Sequence, residues 1–91
     1  MNSSGISDLL EFPCIHEFKA FGPNDGEDGF VRRVRDAVTE TVPIDSDAIK
    51  QRPSSRGTYQ SVSVMVRLHD EGQLKSIYAA LKDIADLKFI L

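Results

Sequence analysis

PSSRGTYQSVSVMVRL, residues 53–68, is the stretch on which the reading of this chain turns. From Tyr59 onward, Val62, Val64, Val66 and Leu68 fall on one side of a two-residue period, and Tyr59, Ser61, Ser63, Met65 and Arg67 fall on the other. Successive side chains of a strand point to opposite faces, and β-branched residues favour a pleated, half-buried surface. The pattern therefore predicts a strand at the centre of a sheet. Ahead of it, Ser54, Ser55, Arg56 and Gly57 read as a hairpin loop, with Gly57 able to take a positive φ.

A hairpin needs a partner strand upstream. Residues 44–52 hold only Ala48 and Ile49 as internal apolar side chains, and they carry Lys50, Arg52 and a following Pro53. Lysine, arginine and proline discourage further pairing, which places this strand at a sheet edge. Downstream, Asp70 and Gln73 predict a capped helix in which Leu74, Ile77, Tyr78, Leu81 and Ile84 recur at i, i+3, i+4 and i+7. Leu87, Phe89 and Leu91 then alternate with Lys88 and Ile90 in a last strand.

Toward the N-terminus, residues 14–21 show the period of two again. Cys14, His16, Phe18 and Ala20 share one face, with Phe18 and Ala20 assigned to the core, while Ile15, Glu17, Lys19 and Phe21 share the other. Pro13 suits the start of this strand, and Leu9, Leu10 and Phe12 read as an apolar turn packed on the domain. Gly22, Pro23, Asn24, Asp25 and Gly26 are loop chemistry, the glycines serving unusual φ. Asn24 and Glu27 fit a relaxed capping box, with Asp25 and Asp28 complementing the helix dipole. A helix is thus expected from near residue 26 to Val42, just before Pro43, with Phe30, Val31, Val34, Ala37, Val38 and Thr41 on its core side. Arg32, Arg33 and Arg35 are read as its solvated face.

The order β-α-β-β-α-β predicts an α+β fold, the ferredoxin-like sandwich: a four-stranded antiparallel sheet with two helices on one face, the first and third strands central. One domain over residues 9–91 follows a flexible tail over residues 1–8. The uncovered face of the sheet would present Ile15, Phe21, Tyr59 and Met65, a larger apolar set than chance scatter suggests.

Composition sets outer bounds. A chain of 91 residues is one domain, burying about 60–65% of its unfolded surface. With 41% apolar and 27% charged residues it has a globular composition, and its short apolar runs fall far below the roughly 20 residues of a membrane-spanning helix. The start has neither a basic nor a continuous apolar region of the secretory kind, and the single cysteine, Cys14, forms no internal disulfide. Both features point to the cytoplasm and to no membrane. A net charge of −3 gives no global attraction to nucleic acid, and a local basic patch is confined to Lys50, Arg52 and Arg56.

LLEFP at residues 9–13, the strand end at residues 19–22, and above all PSSRGTYQSVSV at residues 53–64 resemble the YbeD-like family of small bacterial proteins. The likeness covers nearly the whole chain, and the Ser-Ser-basic-Gly-x-Tyr-x-Ser-Val run is its specific part. It implies a fold similar to that of ACT regulatory domains, ferredoxin-like modules that bind small metabolites and self-associate, and an association with lipoate metabolism. Residues 1–8 and the acidic loop 24–29 depart from the family's pattern.

Two surfaces are candidates for ligand or partner binding. Asn24 and Asp25 lie where ACT domains receive an effector, at a helix N-terminus that favours a carboxylate, although capping alone explains the same residues. Ser54, Ser55, Arg56 and Gly57 could form a small anion nest that Tyr59 and Ser61 extend along the open face, although a polar exposed turn has the same composition. Cys14 and His16 share a face, but no CxxC or HxxxH spacing accompanies them. They read as a buried thiol beside a hydrogen-bonded histidine, not as a metal site, and no cofactor motif is visible.

No pairing of catalytic groups stands out. The expected function is a non-enzymatic regulatory or adaptor module acting through self-association or a protein partner, with a small-molecule effector as an added role. RNA binding by the open face is the alternative, since RNA-recognition motifs share this topology. Against it, the chain is acidic, and after Arg56 and Gly57 the residues Thr58, Gln60 and Ser61 depart from that motif's third-strand signature. An enzyme of the acylphosphatase kind needs a phosphate-binding arginine in the first loop, and PNDGEDG has none.

Overall fold

The alternation over residues 59–68 becomes β3 (Tyr59–Leu68) in the computed structural model, which describes residues 10–26 and 29–91. The other elements are β1 (Cys14–Pro23), α1 (Phe30–Thr39), β2 (Ile49–Pro53), α2 (Glu71–Lys82) and β4 (Phe89–Ile90). The sheet runs β2-β3-β1-β4 with every neighbouring pair antiparallel, so β1 and β3 are central. This is the ferredoxin-like α+β sandwich. The flexible tail expected over residues 1–8, with Leu9, and the capping partner Glu27 with Asp28 lie outside the described residues.

The central pair is long and in one register, from Cys14 opposite Leu68 to Pro23 opposite Tyr59. On one face, Phe18 and Ala20 of β1 and Val62, Val64, Val66 and Leu68 of β3 are buried against both helices. α1 contributes Phe30, Val31, Val34, Ala37 and Val38, and α2 contributes Leu74, Ile77 and Leu81. Each Val, Leu, Ile or Phe among these taken from water stabilises by about 1.5–3 kcal/mol, which makes this layer the main source of stability. Leu10 and Phe12 pack against its rim as expected, beside a cis Phe12–Pro13 peptide. His16 also faces this side, and its Nε2 lies 3.1 Å from the Tyr78 hydroxyl.

Several boundaries differ from the sequence reading, each for a local reason. β1 continues through Gly22 and Pro23, which were expected in a loop. Gly22 is a packing glycine: a Cβ there would collide with the buried Phe30 ring, and the positive-φ glycines are Gly26 and Gly57 instead. α1 starts at Phe30, not near residue 26, because Gly26 turns the chain at φ 95°. Asp25, four residues before Gly29, accepts the Phe30 N–H at 2.7 Å and does the capping expected of Asn24. The helix closes at Thr39 rather than Val42, and Thr41 is only half-buried. The second strand begins only at Ile49, because Ser46–Ala48 form a 3-10 turn closed by the Ala48 N–H on the Asp45 carbonyl.

At the second helix the expected cap is present. Asp70 accepts the Gln73 N–H at 2.9 Å, and the Gln73 side chain returns to the His69 N–H at 2.7 Å. The last strand is shorter than expected, but backbone bonds from Lys88 N–H to Phe21 and from Leu91 N–H to Lys19 extend its pairing with β1. In that register Ile90 lies opposite Ala20 on the helix side, and Phe89 lies opposite Phe21 on the other.

Candidate functional site

The uncovered face of the sheet is assembled row by row from the strand register. Antiparallel partners lie about 4.5–5.5 Å apart and share a face. One row carries Lys50, Ser63 and Lys19; the next carries Arg52, Ser61, Phe21 and Phe89. Tyr59 opposite Pro23 closes one end, and Met65 opposite Glu17, then Arg67 opposite Ile15, lead to the other. The apolar set is therefore not one patch. Tyr59, Phe21 and Phe89 gather at one end, Ile15 and Met65 stand at the other, and polar rows separate them. Phe89 was not assigned to this face from sequence, where a strand's last residues gave no register.

At the aromatic end the Phe21 and Phe89 rings stack with centroids 4.2 Å apart and planes 14° from parallel. Phe89 is 53% exposed and Tyr59 44% exposed, and with Lys88 the three rings line a shallow groove of about 450 Å³. The Lys88 ammonium lies 5.2 Å from the Tyr59 ring centroid, and that of Lys19 lies 6.0 Å from the Phe21 centroid, both within cation–π range.

The polar rows have an unusual charge balance. Lys19, Lys50, Arg52 and Arg67 project from the strands on this face, with Glu17 as the acidic strand residue among them. A chain of net charge −3 thus presents a locally basic sheet. The basic patch expected around Lys50, Arg52 and Arg56 is displaced: Arg56 sits out on the hairpin, and Lys19 of β1 takes its place beside Lys50 and Arg52.

The candidate binding residues fall into two adjoining groups. Ser54 closes the hairpin, with its N–H on the Tyr59 carbonyl at 2.8 Å, its carbonyl accepting from Gly57 at 2.9 Å, and its hydroxyl accepting the Tyr59 N–H at 3.2 Å. Gly57 takes φ 76°, while Ser55 and Arg56 are exposed at the tip. Asn24 joins this hairpin to the first loop: its amide donates to the Gly57 carbonyl at 2.9 Å and its N–H to the Thr58 carbonyl at 3.0 Å. Gln60, buried, ties the same corner by donating to the Pro23 carbonyl at 3.0 Å. Alternation gave no warning of that buried amide, because Gln60 was assigned to neither face from the sequence.

Asp25 has internal partners. Besides the Phe30 N–H, it pairs at 2.8 Å with Arg33, which also grips Asp86. Those bonds, the Phe30 N–H foremost, hold the Asp25 carboxyl below the usual carboxylate range, while Asp25 and Asp86 hold the Arg33 guanidinium more firmly charged. Arg33 is therefore a strut between the first loop and the segment after α2, not merely part of a solvated helix face. Cys14 is half-buried, and His16 stands edge-on to Phe18 at 4.7 Å. Burial pushes His16 down and Tyr78 up from their ordinary pKa values. Among the described residues no helix is long and apolar enough to cross a membrane.

Comparison with known proteins agrees with this architecture. A solution structure of protein HP0495 from H. pylori superposes with a TM-score of 0.66 over 100% of this chain and 94% of that one, at 14% identity, a likeness of fold. The chain is 34% identical over 92 residues to a UPF0250 protein of Idiomarina loihiensis, covering 100% of both. It is 38% identical over 85 residues to a UPF0250 protein of Neisseria meningitidis serogroup C, covering 91% of this chain and 90% of that one. Residues 7–91 match the family described as proteins of unknown function, DUF493. With the family pattern spanning almost its whole length and relatives similar end to end, the chain belongs to DUF493, the small bacterial family to which its YbeD-like features pointed.

Proposed function

We propose that this protein is a non-catalytic adaptor that recognises a partner protein through the open face of its sheet, anchored at the aromatic end. One observation carries the reading: Phe21, Phe89 and Tyr59 converge on a groove with no layer of the fold over it. Large aromatic side chains in a shallow pocket are the usual anchors of protein interfaces, ringed by polar residues such as those here. A second copy placed face to face fits less well. A two-fold axis would set Lys19, Lys50, Arg52 and Arg67 of each copy against the same residues of the other, with only Glu17 to offset them. A partner with an acidic rim fits better.

RNA is the weaker reading. Single-stranded RNA stacks on aromatics at the middle of such a sheet, whereas those positions hold Glu17, Lys19, Ser61 and Ser63, and two of the three aromatics already stack on each other. The family resemblance makes lipoate metabolism the first place to look for the partner, and regulation by a small effector belongs to the same proposal.

The test is photo-crosslinking in cells of the encoding organism, with benzoylphenylalanine at position 89 and, separately, at the exposed helix position 35. The expected result is a discrete protein adduct from position 89, absent from position 35 and lost when Tyr59→Ser is added. Adducts identical from both positions, or none from position 89, would overturn the adaptor reading. Adducts of chain-dimer mass alone would replace the partner with a second copy.

A further inference from the structure

The polar rows of the open face hold a second feature, which adjoins the aromatic anchor. Two grooves of about 260 and 310 Å³ run across them, and Lys19, Arg52 and Ser61 line both; Phe21 and Tyr59 border the first, and Lys50, Ser63 and Glu17 line the second alone. Ser61 is only 8% exposed, and its hydroxyl makes no hydrogen bond to any described residue. An almost buried polar group without a partner calls for an explanation, because leaving it unpaired costs stability. Lys19, Lys50 and Arg52 line the same groove as Ser61, and none of them is in an ion pair among the described residues.

The register brings these cations together. Lys50 and Lys19 flank Ser63 in one row, and Arg52 flanks Ser61 in the next, so their Cα atoms lie about 7 to 12 Å from one another and their long side chains can meet over the two hydroxyls. Lys19 leans the required way, because its ammonium reaches the ring of Phe21, the neighbour of Ser61. Three mobile or planar cationic donors over two hydroxyl donors suit an oxyanion with several acceptor oxygens and more than one negative charge. Glu17 at the margin disfavours continuation of an anionic chain along β1, which favours a single compact anion over a polyanion.

We propose that Lys19, Lys50, Arg52, Ser61 and Ser63 form a binding site for a phosphate group, free or carried by a small metabolite. The site lies beside the aromatic groove and does not depend on the adaptor reading. A bound phosphate would satisfy the Ser61 hydroxyl and neutralise the basic rows, so it would alter how an acidic partner meets the face.

The experiment is titration of ¹⁵N-labelled protein with sodium phosphate, with glycerol 3-phosphate and with sodium chloride at matched ionic strength, reading the amide shifts of Ser61 and Ser63. Saturable shifts centred on Arg52, Ser61 and Ser63 are expected with a phosphate species and not with chloride. Arg52→Gln should weaken binding at least tenfold, and Arg56→Gln, out on the hairpin, should leave it unchanged. Much tighter binding of glycerol 3-phosphate would identify an ester as the ligand class; equal binding would identify free phosphate. Chloride reproducing the shifts, no saturation with either phosphate, or full binding by Arg52→Gln would overturn the site. Phe89→Ser separates the two proposals, because it should abolish partner adducts formed from benzoylphenylalanine at position 59 while leaving phosphate binding intact.

Discussion

β1 and β3 each have two faces, and the two have been filled by different rules. On the helix side, Val62, Val64 and Leu68 are fully buried at 0% exposure and Phe18 at 1%; on the opposite side of the same strands, Ile15 stands 62% exposed and Met65 45% exposed. The backbone, the register and the hydrogen bonds are shared, so the contrast comes from side chains alone. The covered face repeats β-branched and aromatic residues that fill space against α1 and α2. The open face mixes rings, lysines, arginines and serines, a combination that adds little to the packed core. The comparison teaches that the side chains that hold the fold together and those left uncovered alternate along the same two strands, so that on the proposed reading stability and binding are open to separate change.

That separation can be strained hardest on the covered face. Phe18→Ala should cost about 3–5 kcal/mol, seen as a lower denaturation midpoint in urea, because the cavity would lie in the core between the sheet and the helix layer. Gly22→Ala should cost about 1–3 kcal/mol in the same measurement, since the new methyl group must displace the buried Phe30 ring. A neutral result there would mean that the first strand and α1 are less tightly apposed than described. Phe89→Ser should cost no more than about 1.5 kcal/mol, the worth of its stacking on Phe21, yet remove partner adducts formed from benzoylphenylalanine at position 59. If it unfolded the protein instead, the two faces would not be separable.

The smallest effect concerns pH. Burial lowers the pKa of His16 in the folded state, with Glu17 opposing, so just below the ordinary histidine value the unfolded chain binds a proton that the folded chain does not. This contribution to stability is present above the unfolded pKa and is lost as pH falls through the folded one. Urea midpoints taken from neutral to mildly acid pH should decline, and the decline should be shallower in His16→Phe; parallel curves would remove His16 from the account.

Much of this was legible in the residues. Period-two alternation gave the faces of β1 and β3 correctly, because an exposed surface and a buried one demand opposite side chains at every step. Asp70 and Gln73 announced their cap because the partners are three residues apart. What failed was non-local. Asp25 caps across Gly26, Asn24 bonds a hairpin more than thirty positions away, and Arg33 bridges two loops, none of which has a short-range signature. The site suffered likewise: Lys19 joins Lys50 and Arg52, and Phe89 joins Phe21, only once the order β2-β3-β1-β4 sets those strands side by side.

Lysine footprinting tests the central claim, that the open face is the working surface, most directly. Lys19, Lys50 and Lys88 border that face, whereas Lys75 and Lys82 lie on α2. Their acetylation rates, compared by mass spectrometry between living cells and purified protein, should show protection in cells at the first three and unchanged reactivity at the other two. Equal reactivity of all five in both settings, or protection confined to Lys75 and Lys82, would contradict it.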